Sequence, residues 1–164
     1  MARLSSWRCA GLVAGLTALV GTAGIAQVPQ SLSTTDRQAL AVMALRWAVD
    51  GGIQDFKLAK DPTQLVVEHT HLPANTRLRV PRHTVTLLSA PRIQARADRS
   101  GDFLYFRFGP FEGTAEHASV PISLLWAVSV HSTVRYLSGG GATLSFEKRN
   151  GRWQLLPVTS HWVS

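Results

Sequence analysis

Eleven residues from Val120 to Val130 alternate between apolar and small or polar side chains, and no other stretch restricts the fold of this chain as tightly. Val120, Ile122, Leu124, Trp126, Val128 and Val130 fall on one face, with Ser123, Ala127, Ser129 and His131 on the other. A period of two marks a strand with one face buried, because successive side chains point to opposite sides. Leu125 alone breaks the pattern. A half-buried strand of this length calls for a long, curved antiparallel sheet and for something apolar to cover it.

The cover lies upstream. Leu40, Met43, Ala44 and Trp47 recur at i, i+3, i+4 and i+7, an apolar stripe along one side of a helix. Thr35-x-x-Gln38 has the capping-box spacing, which starts the helix at Thr34 or Thr35, and Gly51-Gly52 ends it. Trp47 lies on the stripe and is assigned to the core. From there the period changes to two. Strands are expected at Leu65 to Thr70, Thr84 to Ser89 and Ile93 to Ala97, separated by Pro73, Pro81 and Pro91. Asp98-Arg99-Ser100-Gly101 is expected to turn the chain into Phe103 to Phe108, where Leu104, Phe106 and Phe108 share a face opposite Phe103, Tyr105 and Arg107.

Asn150-Gly151 is a preferred two-residue hairpin tip. With that pair at the turn, Phe146 faces Leu155, Leu144 faces Pro157 and Glu147 faces Gln154, so like meets like on each face. Arg149 opposite Arg152 is the awkward pair. Trp162 is expected to pack back onto the core, and Gly139-Gly140-Gly141 to form a flexible turn or bulge. The predicted fold is α+β: one N-terminal helix packed on a curved antiparallel sheet of about six or seven strands.

Residues 1 to 26 stand apart from this domain. Arg3 and Arg8 precede the uncharged apolar stretch Ala10 to Ile25, which closes on the small-x-small sequence Gly24-Ile25-Ala26. That is the pattern of a secretory signal peptide, with a second possible cut after Ala23. It predicts a periplasmic or secreted protein, residues 27–164 as a single domain, and no transmembrane segment after cleavage. Cleavage removes Cys9, the only cysteine, and lowers the formal charge from +7 to +5. A thiol nucleophile and an internal disulfide are thereby excluded.

The element order resembles the cystatin-like and nuclear-transport-factor-like group. The closing segments Gly139-Gly140-Gly141, Phe146 through Trp153 and His161-Trp162-Val163-Ser164 resemble the tail of small uncharacterised exported bacterial proteins. This resemblance spans about forty residues and consists mainly of hairpin chemistry. It implies a fold and an exported location, and no activity.

Three chemistries have candidate residues. His69 and His71, two apart on an expected strand, point the same way and would present two imidazoles to a metal ion, the basis for a metal-assisted hydrolase. Arg77, Arg79 and Arg82 begin an arginine run without an acid between Glu68 and Asp98, fit for anionic envelope components such as a lipid headgroup or an acidic glycan. A nucleic-acid partner is not expected, because aromatics do not interleave with the arginines. Tyr105 and Trp126 would be the aromatic lining of a pocket between the helix and the concave face of the sheet. Ser145-x-x-Lys148 copies a serine–lysine nucleophile spacing, but on a hairpin strand the two residues face opposite sides. With no catalytic set complete and no cofactor-binding pattern, the leading expectation is an exported, non-enzymatic binding or interaction module of the cell envelope whose ligand or protein partner is unknown.

Overall fold

Ser33 opens the first helix, α1 (Thr34–Trp47): its hydroxyl accepts the Asp36 N–H at 3.0 Å and donates to the Asp36 carboxylate at 2.7 Å. The cap therefore lies two residues ahead of the Thr35-x-x-Gln38 box, and Gln38 instead donates to the Arg77 carbonyl at 3.2 Å. The computed structural model describes residues 31–136 and 139–163. The proposed signal peptide lies outside them. Among the described residues no helix is long and apolar enough to cross a membrane.

After α1 the chain passes through a π-type turn (Ala48–Gly52), in which Gly51 adopts φ 109°, and a short 3-10 turn (Gln54–Leu58). Then follow β1 (Gln64–Glu68), β2 (Thr84–Leu88), helix α2 (Ala90–Ser100), β3 (Phe103–Phe108), β4 (Glu112–Gly113), β5 (His117–Ala127), β6 (Gly140–Arg149), β7 (Arg152–Leu155) and β8 (His161–Val163). All eight strands join one sheet in the order β2-β1-β3-β5-β6-β7, with β4 added to β5 and β8 to β6.

Two parts of the sequence-based expectation need correction. The sheet is mixed: β1 runs parallel to both β2 and β3, while the pairs from β3 to β8 are antiparallel. The expected strand at Ile93 to Ala97 is the middle of a second helix. Pro91 sits in its first turn, where proline lacks nothing a helix needs, and Gly101 at φ 81° follows its last residue. Ile93 and Ala97 are both buried at i, i+4, a helical spacing that a five-residue window also fits to alternation.

These corrections have one cause. Parallel strands need a crossover connection, and α2 supplies it between β2 and β3, which flank β1, covering the face of the sheet that α1 does not. Leu65, Val66 and Val67 are consecutively buried for that reason: Leu65 and Val67 meet the main core, and Val66 meets Ile93 and Ala97. Leu125 lies opposite Tyr105, on the same side of the sheet as Tyr105 and Ala127, which both pack with the α2 cluster. The long strand also sits three residues earlier than its alternation suggests, leaving Val130 71 % exposed beyond its end.

The main core lies between α1 and the other face. Leu40, Ala41, Ala44 and Leu45 from the helix, with Val120, Ile122, Leu124 and Leu144 from β5 and β6, are fully buried. The helix is thus rotated slightly from the expected stripe, with Met43 and Trp47 at its margin. The hairpin register holds, with Phe146 opposite Leu155, Glu147 opposite Gln154 and Arg149 opposite Arg152. The ladder ends at Leu155, before Pro157. Asn150 and Gly151 both have positive φ (52° and 74°), as this tight turn requires. Arg149 turns from Arg152 to its neighbour Glu147, with Nη2 at 2.7 Å from the carboxylate. Asp36 ties the two ends of the domain together, accepting from Lys148 Nζ and from Trp153 Nε1, each at 2.7 Å.

Candidate functional site

The three-residue strand β8 carries Trp162 back against β6, in register with Gly141. Glycine is required there by the approach: a Cβ on Gly141 would lie 2.7 Å from the Ile122 carbonyl and 2.8 Å from the Trp162 ring. The same holds at the end of α1, where a Cβ on Gly52 would lie 2.3 Å from the Trp47 ring. Two indoles are thus seated on glycine backbone. Gly140 and Gly141 are paired on both sides, with Leu124 and Ser123 of β5 and with Val163 and Trp162 of β8. They are strand residues rather than the expected flexible turn or bulge.

Between these elements lies a cleft of about 560 Å³, lined by Trp47, Gly52, Ile53, Asp55, Gly140, Gly141, Val158, His161 and Trp162 among others. Trp162 does not close the core as expected; at 44 % exposed it forms a wall of this cleft. Asp55 comes from the 3-10 turn, which Phe56 anchors by packing on the buried Phe106 with ring centroids 5.6 Å apart. The Asp55 Oδ2 is buried and has no hydrogen-bond partner among the described residues. A buried carboxylate oxygen without a donor is costly. Asp55 and His161 are the only titratable groups lining the cleft among the described residues.

The residues singled out from the sequence lie elsewhere. Tyr105 and Trp126 do not share a pocket: Trp126 is opposite Leu104 on the α1 face, whereas Tyr105 is opposite Leu125 on the α2 face. Tyr105 packs with the α2 cluster, and burial pushes its hydroxyl pKa up. Trp126 stacks on Tyr136 with centroids 3.9 Å apart and planes 15° apart. Their alternation parity already separates them, since the register fixed by Leu104 and Trp126 puts residue 105 on the other side.

His69 and His71 lie past the end of β1, so the strand geometry that would align their imidazoles is missing. They line different clefts, His69 one of about 500 Å³ and His71 a more open one of about 700 Å³. Among the described residues no group of three His, Cys, Asp or Glu side chains could hold a metal ion. Arg77, Arg79 and Arg82 are exposed; Arg77 and Arg79 alternate with the buried Leu78 and Val80 on an extended segment with its apolar side inward, and Arg82 follows in a turn at φ 66°. Arg96 lies over the Phe103 ring at 5.0 Å.

The acids near the turns have structural partners. Asp98 accepts from Gln94 and from the Val130 N–H, each at 2.9 Å, and Asp102 accepts from the Ser129 N–H at 2.7 Å and the Ser132 hydroxyl at 2.6 Å. The Ser132 and Ser129 bonds, with a weaker one from Tyr136, hold Asp102 below the usual carboxylate range. Lys148 of the serine–lysine spacing is engaged by Asp36.

The cleft residues were missed because their signal in the sequence pointed elsewhere. Gly51-Gly52 and Gly139 to Gly141 look like chain breakers, and nothing in the sequence sets Asp55 apart from other acids near turns. No family model, curated protein or solved structure matches the chain.

Proposed function

We propose that the chain is exported with residues 1–26 removed, and that the remaining domain is a non-enzymatic binding module of the cell envelope whose ligand site is the cleft between the end of α1 and the β6–β8 edge. One observation carries the binding reading: two tryptophans seated on glycines flank a cleft lined by Asp55, a carboxylate with one buried oxygen that has no partner among the described residues. Apolar walls with a few convergent polar groups are what small-molecule sites are made of, and about 560 Å³ falls within their usual range. Export rests on the charge and hydropathy pattern of the first twenty-six residues.

Both parts have direct tests. Mass spectrometry of the native protein should find an N-terminus at Gln27, or at Gly24 if the earlier site is cut; an intact Met1 overturns export. For the cleft, titration with benzylamine and benzyl alcohol should shift the indole N–H resonances of Trp47 and Trp162 while leaving those of Trp126 and Trp153 in place. Replacing Gly52 by valine drives a branched side chain into the Trp47 ring and should abolish those shifts with the fold retained. Indole resonances that stay put with both probes remove the cleft as the binding site.

A further inference from the structure

We infer that the ligand of the Trp47–Trp162 cleft is a small organic cation bearing N–H donors, an ammonium or guanidinium group carried on an apolar body. This rests on the cleft being the ligand site and adds the chemistry of what enters it. Asp55 lines the cleft and has no ion-pair partner among the described residues; its Oδ2 is enclosed by protein without a donor, so a ligand meets this carboxylate from the cleft side. A neutral ligand with a hydroxyl would satisfy its hydrogen bond but leave its charge uncompensated in a partly desolvated site. A cationic N–H satisfies both, and charge-assisted hydrogen bonds are about twice as strong as neutral ones.

The walls favour the same ligand. Indole is the best of the aromatic rings at attracting a cation, and Trp47 and Trp162 both line the cleft. Ile53 and Val158 supply apolar surface for the body of the ligand. No arginine or lysine lines the cleft among the described residues, so no fixed positive charge opposes a cation there. A carboxylate ligand would meet Asp55 and be repelled. Although the domain as a whole is basic, this cleft selects the opposite charge from the arginine run.

Three probes of nearly equal shape separate the contributions: benzylammonium has charge and N–H donors, benzyltrimethylammonium has charge alone, and benzyl alcohol is neutral. With the exported protein, benzylammonium should bind at least about tenfold more tightly than either of the others, read from the indole shifts of Trp47 and Trp162. The D55N variant should lose that advantage, binding benzylammonium no more tightly than it binds benzyl alcohol. Because Asp55 Oδ2 has no hydrogen-bond partner among the described residues, D55N should melt no lower than wild type, and a lower melting temperature overturns the assignment of Asp55 to the ligand. Equal binding of benzylammonium and benzyl alcohol, unaffected by D55N, overturns the cationic ligand and leaves the cleft as a binding site. Equal binding of the two cations overturns the hydrogen bond to Asp55. If none of the three moves the two indoles, the cleft reading itself fails, and the inference with it.

Discussion

Replacing Phe106 by alanine should cost about 3–5 kcal/mol of folding stability, a large share of what a domain of this size possesses. Phe106 is 2 % exposed in the middle of β3, in register with Val67 of β1 and Leu124 of β5. It is where the parallel and antiparallel parts of the sheet meet. Truncation there removes a full aromatic side chain and leaves a cavity that flanking strands, pinned by their ladders, cannot close. Urea denaturation should show the midpoint falling with little change in slope. The substitution reaches the cleft as well, since Phe56 packs on Phe106 and the turn that holds Phe56 also carries Asp55. A loss below 1 kcal/mol, or benzylammonium binding that is unchanged in the variant, would contradict this account.

Asp36 should produce the second largest effect, and its signature is pH dependence. Burial alone would raise its pKa, but hydrogen bonds from Lys148, Ser33 and Trp153, together with the charge of Lys148, outweigh burial and hold it at about 2 against an ordinary 3.8. The folded state therefore releases this proton more readily than the unfolded chain. The stabilisation is complete above the unfolded pKa and is lost as pH falls from about 4 through about 2. Nearly two pKa units correspond to about 2 kcal/mol, with little loss to screening because the Asp36 side chain is only 15 % exposed. Asp36→Asn should be less stable than wild type by about that amount near neutrality, and the difference should vanish toward pH 2. Asp36→Ala should lose about 2–4 kcal/mol, because it also strands Lys148 and the Trp153 N–H. Wild-type and Asp36→Asn stabilities that fall in parallel between pH 5 and 2 would remove Asp36 as the acid-sensitive tie.

How much of the fold was legible depends on whether a signal was local. Phe103 to Phe108 forms a strand with the bounds that its alternation suggests, and the hairpin around Asn150-Gly151 has the expected register, because turn type and side-chain parity together leave one pairing. The second helix was not legible. Ile93 and Ala97 fit either period over so short a window, and Pro91 and Gly101, which bound the helix in the structure, read equally as breaks between strands. Leu125 was visible as an anomaly, and the structure places it on the side of the sheet that carries Tyr105 and Ala127.

The candidate site was still less legible. That two indoles share one cleft leaves no mark when Trp47 and Trp162 stand 115 positions apart in the chain. His69 and His71 had a local spacing argument, and it failed because β1 ends one residue before the first of them.

By itself the amino-acid sequence determined an α+β domain with a helix covering one face of a long strand and a C-terminal hairpin in known register. Those properties follow from periodicity and turn chemistry, which act over a few residues. Tertiary structure alone decided that β1 runs parallel to its neighbours, that both faces of the β1–β3 end are covered, and that Asp55, Trp47 and Trp162 line one cleft. Those outcomes follow from which distant surfaces exclude water together, a property of the whole chain and of no segment in it.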